Sequence, residues 1–551
     1  MHLPDPARTL ALFCALAWST PLHAAEPPHP KLIVTLVVDQ YSADLFSEYR
    51  SLYEPKLQGL ARLAGGVVFP RGHQGHAATE TCPGHSTILT GDRPARTGIV
   101  ANEWQVATLP RKDKGRETFA VYCVEEPGEQ GSDARKKVIS VNSLLVPTLG
   151  DRMKARDPAS RVVAIGGKDR AAVLLGGHNA DLTLWWTDKG DKGFVTYAGK
   201  EATVPKEISE RVNAAVRRSY GQRSVPTLPP RCATKTQQFD VGAASVGTLA
   251  PTDADSKRWR ATPAMDSFTV DAALAAVKAL ALGQRDSVDL LAVSLSGNDY
   301  VGHYFGTEGP EMCAFQLALD QSVGRLLTAL DKTRVSYMVV LTADHGGLDI
   351  PERSRPRGLP AAQRISPDVF PVNIGTAVAR EFGLEGTVLL GGEEFANDVF
   401  LSANVPADKR AAVMEAAVRK YSAHPQVERV FTRNELIAAS PPTRPVDEWT
   451  LLDRAKASFN PLRSGDLVVL LKPYVTTYLP PQDVDTEYVA SHGSPWGYDR
   501  RVPILFWWQG IAGFEQPAAV ETVDIAPTLA SLIGLQVQAG EFDGRVLQLV
   551  R

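Results

Sequence analysis

Past its first 25 residues the sequence has no apolar run approaching the ~20 residues of a membrane-spanning helix, so no membrane span is expected. No sign of charge dominates. Lys and Arg total 59 against 62 Asp and Glu, a net of −3. This argues against a nucleic-acid partner recruited by a basic surface. There is no internal repeat, low-complexity tract or long charge block. With 44% hydrophobic and 22% charged residues the composition is that of a globular protein, which excludes a disordered, collagenous or coiled-coil chain. Cysteine is scarce, five in 551 residues.

The first residues read as a secretory signal over 1–24. Arg8 supplies a modest positive start, weakened by Asp5. An unbroken apolar run over 10–18 follows, and Leu22-His23-Ala24 offers a small-residue cleavage site. Export to the periplasm or medium is therefore expected. Removing this segment takes Cys14 and leaves Cys82, Cys123, Cys232 and Cys313. In an oxidising compartment four cysteines permit two disulfides in any of three pairings; four buried thiols are the alternative.

Length alone allows roughly three to four domain-equivalents, yet the pattern reads as one core with insertions. Near-continuous Val, Ile and Leu runs at 32–38, 161–165, 290–295, 335–341, 467–471 and 502–508 predict buried strands. Helical patterns at 270–283, 311–330, 408–421 and 522–532 alternate with them. The alternation predicts an α/β fold with a mostly parallel central sheet flanked by helices. Richer Pro, Gly and charge at 187–260, 353–360 and 440–447 predict insertions. The stretch 372–480 is long enough for a cap with its own secondary structure. The expected organisation is a single α/β domain over 25–551, with insertions near 187–260 and 372–480.

Acids fall just past several predicted strands: Asp39, Asp299 with His303 four residues on, and Asp344 beside His345. In open α/β sheets ligands bind outside the carboxyl ends of strands. One such Asp would ordinarily be a turn or helix cap; three, two of them with a histidine, point to metal. Asp299 and His303 share a face if that loop turns helically. His492 adds a further nitrogen, giving enough ligands for two ions. Mixed imidazole and carboxylate donors suit zinc, with manganese or iron as alternatives. His424 is expected on the surface and His178 in a turn or a substrate-facing loop. His73 and His76 read as ordinary loop histidines.

Thr81 opens a predicted helix in Thr81-Cys-Pro-Gly-His85, where a hydroxyl is by default an N-cap. Beside two metals, the same position favours a nucleophile and a bound anion. Lys168 and Arg170, in Gly-Gly-Lys-Asp-Arg170, read by composition as a solvated turn.

Together, Val38-Asp39, Thr81-x-Pro-Gly-His85, Gly98-Ile-Val-Ala-Asn102, Asp299-x-x-x-His303, Asp344-His345-Gly and His492-Gly-Ser resemble the alkaline phosphatase superfamily. Within it they resemble the phosphate-irrepressible alkaline phosphatases that use a threonine nucleophile. The resemblance extends from about residue 31 to the C-terminus and includes Val523-Asp-Ile-Ala-Pro-Thr-Leu529. It implies two Zn2+ per chain, one held by Asp299, His303 and His492, the other by Asp39, Asp344 and His345. It implies Thr81 as a nucleophile that bridges to the second zinc, and Asn102 as a hydrogen-bond donor to a phosphoryl oxygen. It also implies Lys168 and Arg170 as the cation pair of the monoesterase branch, acting on small phosphate monoesters; a monomer is expected. A monoester carries one more charge and one more non-bridging oxygen than a diester, so fixed cations aimed there favour it.

The alternatives are a phosphodiesterase or nucleotide pyrophosphatase of the same superfamily, and a non-catalytic zinc-binding protein. A sulfatase, whose Cys-x-Pro-x-Arg becomes a formylglycine nucleophile, is disfavoured because Pro83 follows Cys82 directly and Ser86 stands in the arginine's place.

Overall fold

Leu32–Val38 buries all seven of its residues. Alternate side chains leave on opposite faces: Leu32, Val34, Leu36 and Val38 enter one apolar cluster, Ile33 and Val37 another. A strand covered on both faces has no polar side to show, hence the continuous run. The computed structural model describes residues 29–550 apart from 114–115, 191, 221, 223–225, 251–256, 392–396 and 483–487. The expected signal segment lies outside the described residues. None of the described helices is long and apolar enough to cross a membrane.

The central sheet comprises β1 (Leu32–Val38), β2 (Val67–His73), β3 (Val162–Gly166), β4 (Leu182–Thr187), β5 (Gly193–Val195), β6 (Asp289–Leu295), β7 (Tyr337–Thr342), β8 (Arg501–Trp508), β9 (Phe514–Glu515) and β10 (Val520–Glu521). Its order is β9-β2-β8-β7-β1-β6-β3-β4-β5, with β10 also on β2. The run β7-β1-β6-β3-β4 is parallel throughout, while β8 is antiparallel to both neighbours. Flanking helices include α1 (Thr81–Ile88), α2 (Asp169–Gly176), α3 (Pro263–Ala279), α4 (Gly297–Phe305), α5 (Pro310–Thr333) and α6 (Ile525–Leu532). The mostly parallel α/β architecture expected from the sequence is therefore the one observed.

Several details differ. β2 and β4 were not anticipated. Pro70 and Arg71 interrupt the apolar run of β2, whose pairing with β8 shifts register between Phe69 and Gly72. Helix α3 begins at Pro263 rather than 270, with proline at the first helical position. Leu467–Leu471 is a buried strand but pairs in a separate four-stranded antiparallel sheet, in the order Leu389–Leu390, Asp398–Leu401, Leu467–Leu471, Val427–Thr432. His424 is half-buried rather than exposed: its side chain is 7% exposed, with Nε2 3.2 Å from Oδ1 of the exposed Asp368. His178 is structural. Its ring joins Asp151 Oδ2 at 3.3 Å to the Leu144 carbonyl at 3.1 Å.

The cysteines pair as Cys82–Cys123 and Cys232–Cys313, which selects one of the three pairings and sets aside the four thiols.

Candidate active site

Four adjacent parallel strands deliver their carboxyl ends to one edge of the sheet. In spatial order β7, β1, β6 and β3 lead to Asp344, Asp39, Asp299 and Lys168. All four side chains are buried, at 0, 0, 1 and 4% exposure. The sheet thus lines up three acids and one cation at the edge where such folds bind ligands.

These acids fall into two groups. Asp299, His303 and His492 bring one ligand atom each within 4.8 Å of one another, as do Asp39, Asp344 and His345. Asp299 and His303 lie one turn apart on α4, as their spacing predicted. Gly302 on that helix faces the Gln40 side chain: a Cβ there would be 1.6 Å from Gln40 Oε1, so a larger residue would have to displace the Gln40 amide. On the other side α1 packs against the Asp344 backbone, where a Cβ on Gly84 would meet the Asp344 carbonyl oxygen at 2.1 Å.

The three histidines share one arrangement. His303 Nδ1 is 2.9 Å from the Ala490 carbonyl, His345 Nδ1 2.8 Å from that of Gly346, and His492 Nδ1 2.9 Å from that of Thr79. A carbonyl only accepts, so each Nδ1 carries the proton and each Nε2 presents its lone pair to the acids. His303 Nε2 lies 3.3 Å and His492 Nε2 3.6 Å from Asp299 Oδ1, and His345 Nε2 is 3.5 Å from Asp39 Oδ1. Burial lowers the pKa of His345 and that of His492, so both rings stay neutral.

Asp39 Oδ1, Asp299 Oδ1 and His345 Nε2 are buried with no hydrogen-bond partner. Leaving such atoms bare is costly, whereas a divalent cation satisfies oxygen and imidazole lone pairs together. The residues therefore fit metal ions at both groups.

Charge tells the same story. Burial, Asp299 and Asp344 push the Asp39 carboxyl well above the usual range, with Lys168 opposing. Burial works against ionised Asp299 too, but the Lys168 ammonium holds it well below. The Lys168 ammonium lies 2.7 Å from Asp39 Oδ2 and 2.6 Å from Asp299 Oδ2. It bridges the two triads. Burial disfavours its charge, but Asp299 and Asp39 more than compensate. The solvated-turn reading of this segment does not hold.

Thr81 is the first residue of α1, preceded by Glu80 in extended conformation. Its hydroxyl does not cap the helix. Oγ1 faces Lys168 Nζ at 3.3 Å and Arg170 Nη2 at 3.5 Å. Asn102 stands beside it: its Oδ1 accepts the Cys82 N–H at 2.9 Å, leaving the amide NH2 to donate elsewhere. Arg170 Nε is buried without a partner. A hydroxyl, two cations and an amide converge next to two metal-type triads, with Thr81 itself 1% exposed. This set can hold an anion with several oxygens and attack its centre.

Sequence reasoning passed over several supporting residues. In the sequence His85 is only one position of a motif, yet its Nδ1 lies 3.0 Å from both the Thr81 carbonyl and Asp344 Oδ2, and its Nε2 2.9 Å from Ser294 Oγ. Gln40 adopts a left-handed φ of 61° and donates its N–H to Asp344 Oδ1 at 3.1 Å. Asn298 Nδ2 clamps the Asp39 and Gln40 carbonyls, both at 3.0 Å. Gln40 and Asn298 immediately adjoin metal-type acids in sequence, the one signal that marked them.

The fold and site define a hydrolytic α/β enzyme with paired metal-type triads around a hydroxyl. A profile of the type I phosphodiesterase/nucleotide pyrophosphatase family matches residues 33–495, and the chain belongs to that family, within the alkaline phosphatase superfamily. It is similar to "Alkaline phosphatase PhoK" of Sphingomonas sp, at 46% identity over 96% of this chain and 92% of the relative. It is also similar to "Alkaline phosphatase PhoD" of Zymomonas mobilis, at 45% identity over 94% of this chain and 88% of the relative. The crystal structure of wild-type alkaline phosphatase PafA superposes with a TM-score of 0.79 at 26% identity, covering 95% of this chain and 99% of that one. The chain is accordingly a phosphatase with candidate metal-binding groups.

Proposed function

We propose that this protein is an exported, monomeric phosphomonoesterase that holds two zinc ions and transfers phosphate through Thr81. The reading is carried by Thr81 Oγ1, which faces Lys168 and Arg170 at 3.3 and 3.5 Å beside the two triads. Asp299, His303 and His492 would hold one ion, and Asp39, Asp344 and His345 the other, with Thr81 adding its oxygen to the second. Bound there, the ions would supply positive charge that lowers the pKa of an oxygen ligand and neutralises a departing one.

The chain's own residues do the rest. Thr81 Oγ displaces the alcohol at phosphorus and carries the phosphoryl group as a threonine ester. Water then cleaves that ester and frees Thr81. Arg170, Lys168 and the Asn102 amide meet the non-bridging oxygens. The loose transition state needs positioning and charge more than covalent help. Small phosphate monoesters are the substrate class, with no nucleic-acid partner. The N-terminal segment 1–24 supports export to the periplasm or medium.

A diesterase reading draws on the matched family itself. It differs in what the extra cations are for: a diester offers two non-bridging oxygens and one charge, and gives Lys168 and Arg170 together less to bind. The test is kcat/KM of the zinc-loaded enzyme for an aryl phosphate monoester and the matching diester. A monoester preference of several orders of magnitude, collapsing in Lys168→Ala/Arg170→Ala, is expected. A diester preference assigns the same site to diester hydrolysis.

A further inference from the structure

The cation beside Thr81 is itself held. Arg170 Nη1 donates to Tyr122 Oη at 3.4 Å, and Tyr122 donates to Asp169 Oδ1 at 2.6 Å. Asp169 Oδ1 also accepts the Arg170 backbone N–H at 2.8 Å. The hydroxyl therefore faces an acceptor on one side and a guanidinium on the other, a double role that phenylalanine cannot fill. Burial and Asp169 raise the Tyr122 pKa, so the hydroxyl keeps its proton. The Lys137 ammonium lies 4.3 Å from the centre of the Tyr122 ring.

The chain holding Tyr122 is fastened to the nucleophile. Cys123 follows Tyr122 and is disulfide-bonded to Cys82, which follows Thr81. The Cys123 N–H also donates to the Asn102 carbonyl at 3.0 Å. The strand Ala120–Tyr122 is thus tied to α1 at one point and to Arg170 at the next. Neither metal triad draws on this linkage.

We propose that Tyr122, tethered to α1 through Cys123–Cys82, is a positioning residue that holds Arg170 toward Thr81 and so sets the preference for a phosphoryl group with three non-bridging oxygens. This rests on the reading of Arg170 as a phosphate ligand. An arginine loosened from Tyr122 and Asp169 would spread over several rotamers and lose part of its grip on the extra oxygen, while a diester would lose little.

Tyr122→Phe removes the hydroxyl and keeps the ring; Asp169→Asn weakens the same arm from its other end. For the full-length metal-loaded enzyme, kcat/KM would be measured with an aryl monoester and the matching diester in wild type, both variants, Arg170→Ala, and Tyr122→Phe/Arg170→Ala. Monoester kcat/KM is expected to fall about tenfold in each positioning variant, the scale of one lost hydrogen bond to a charged group. Diester kcat/KM, bound metal and melting temperature should stay unchanged, and Tyr122→Phe should cost nothing further once Arg170 is gone. Equal losses on both substrates, no loss on either, or a full additional loss in the Arg170→Ala background would each overturn the assignment. If Arg170→Ala lowers monoester turnover and Tyr122→Phe does not, only the positioning role fails. If Arg170→Ala is silent, the phosphate-ligand reading fails with it.

Discussion

Thr81→Ala is expected to lose at least ~10³-fold in kcat while keeping both metal groups occupied, because it removes the attacking oxygen and leaves Asp39, Asp299, Asp344 and the histidines untouched. Thr81→Ser keeps a hydroxyl on the first residue of α1 and should retain most of the rate. The contrast matters because Thr81 is buried, and a generic packing defect would depend on its methyl group as well as its oxygen. Steady-state turnover, metal content and melting temperature of the two variants check this. A near-wild-type rate in Thr81→Ala would remove Thr81 from the chemistry and leave a water as the attacking group.

Extracting metal with a chelator is expected to abolish turnover, and zinc to restore it, with a second effect on stability. The protein confines Asp39, Asp299 and Asp344 together, with Lys168 bridging only two of them. Burial and the neighbouring acids already push the Asp39 carboxyl upward, the sign of a centre short of positive charge. Ions that bind the folded state alone stabilise it by about 4 kcal/mol per site at a free concentration a thousand times Kd. The stripped protein should therefore melt earlier and recover on reloading. Thermal denaturation alongside elemental analysis, before and after dialysis, measures both effects. Full activity in protein shown to be metal-free would contradict the assignment of the triads.

Much of the candidate site was legible because acids and histidines concentrate at strand ends. Continuous apolar runs such as 32–38 and 290–295 announced the sheet, and an acid just past each announced the candidate site at its edge. The Asp299 and His303 spacing fixed a helical face. What the pattern could not carry was partnership across the chain. Lys168 reads by composition as an ordinary turn residue and only the family resemblance marks it as a cation for the substrate; that its ammonium sits between two carboxylates more than a hundred residues away on either side is visible only in the fold. Tyr122 carries no local signal and His85 only a motif match, since their partners Asp169, Arg170 and Asp344 are brought to them by the fold. The strand Val67–His73 was hidden by Pro70, and His424 by the assumption that a histidine ending an amphipathic helix faces water. The four cysteines left their pairing open, because spacing does not reveal which chain segments the fold brings together.

Transfer through Thr81 takes two displacements at phosphorus. The most direct measurement is the stereochemical course at phosphorus, using a monoester made chiral with oxygen isotopes and an acceptor alcohol in place of water. Each in-line displacement inverts the centre, so two displacements give net retention. Retention is the predicted result. Net inversion would mean a single displacement by the acceptor and would contradict a phosphothreonine intermediate.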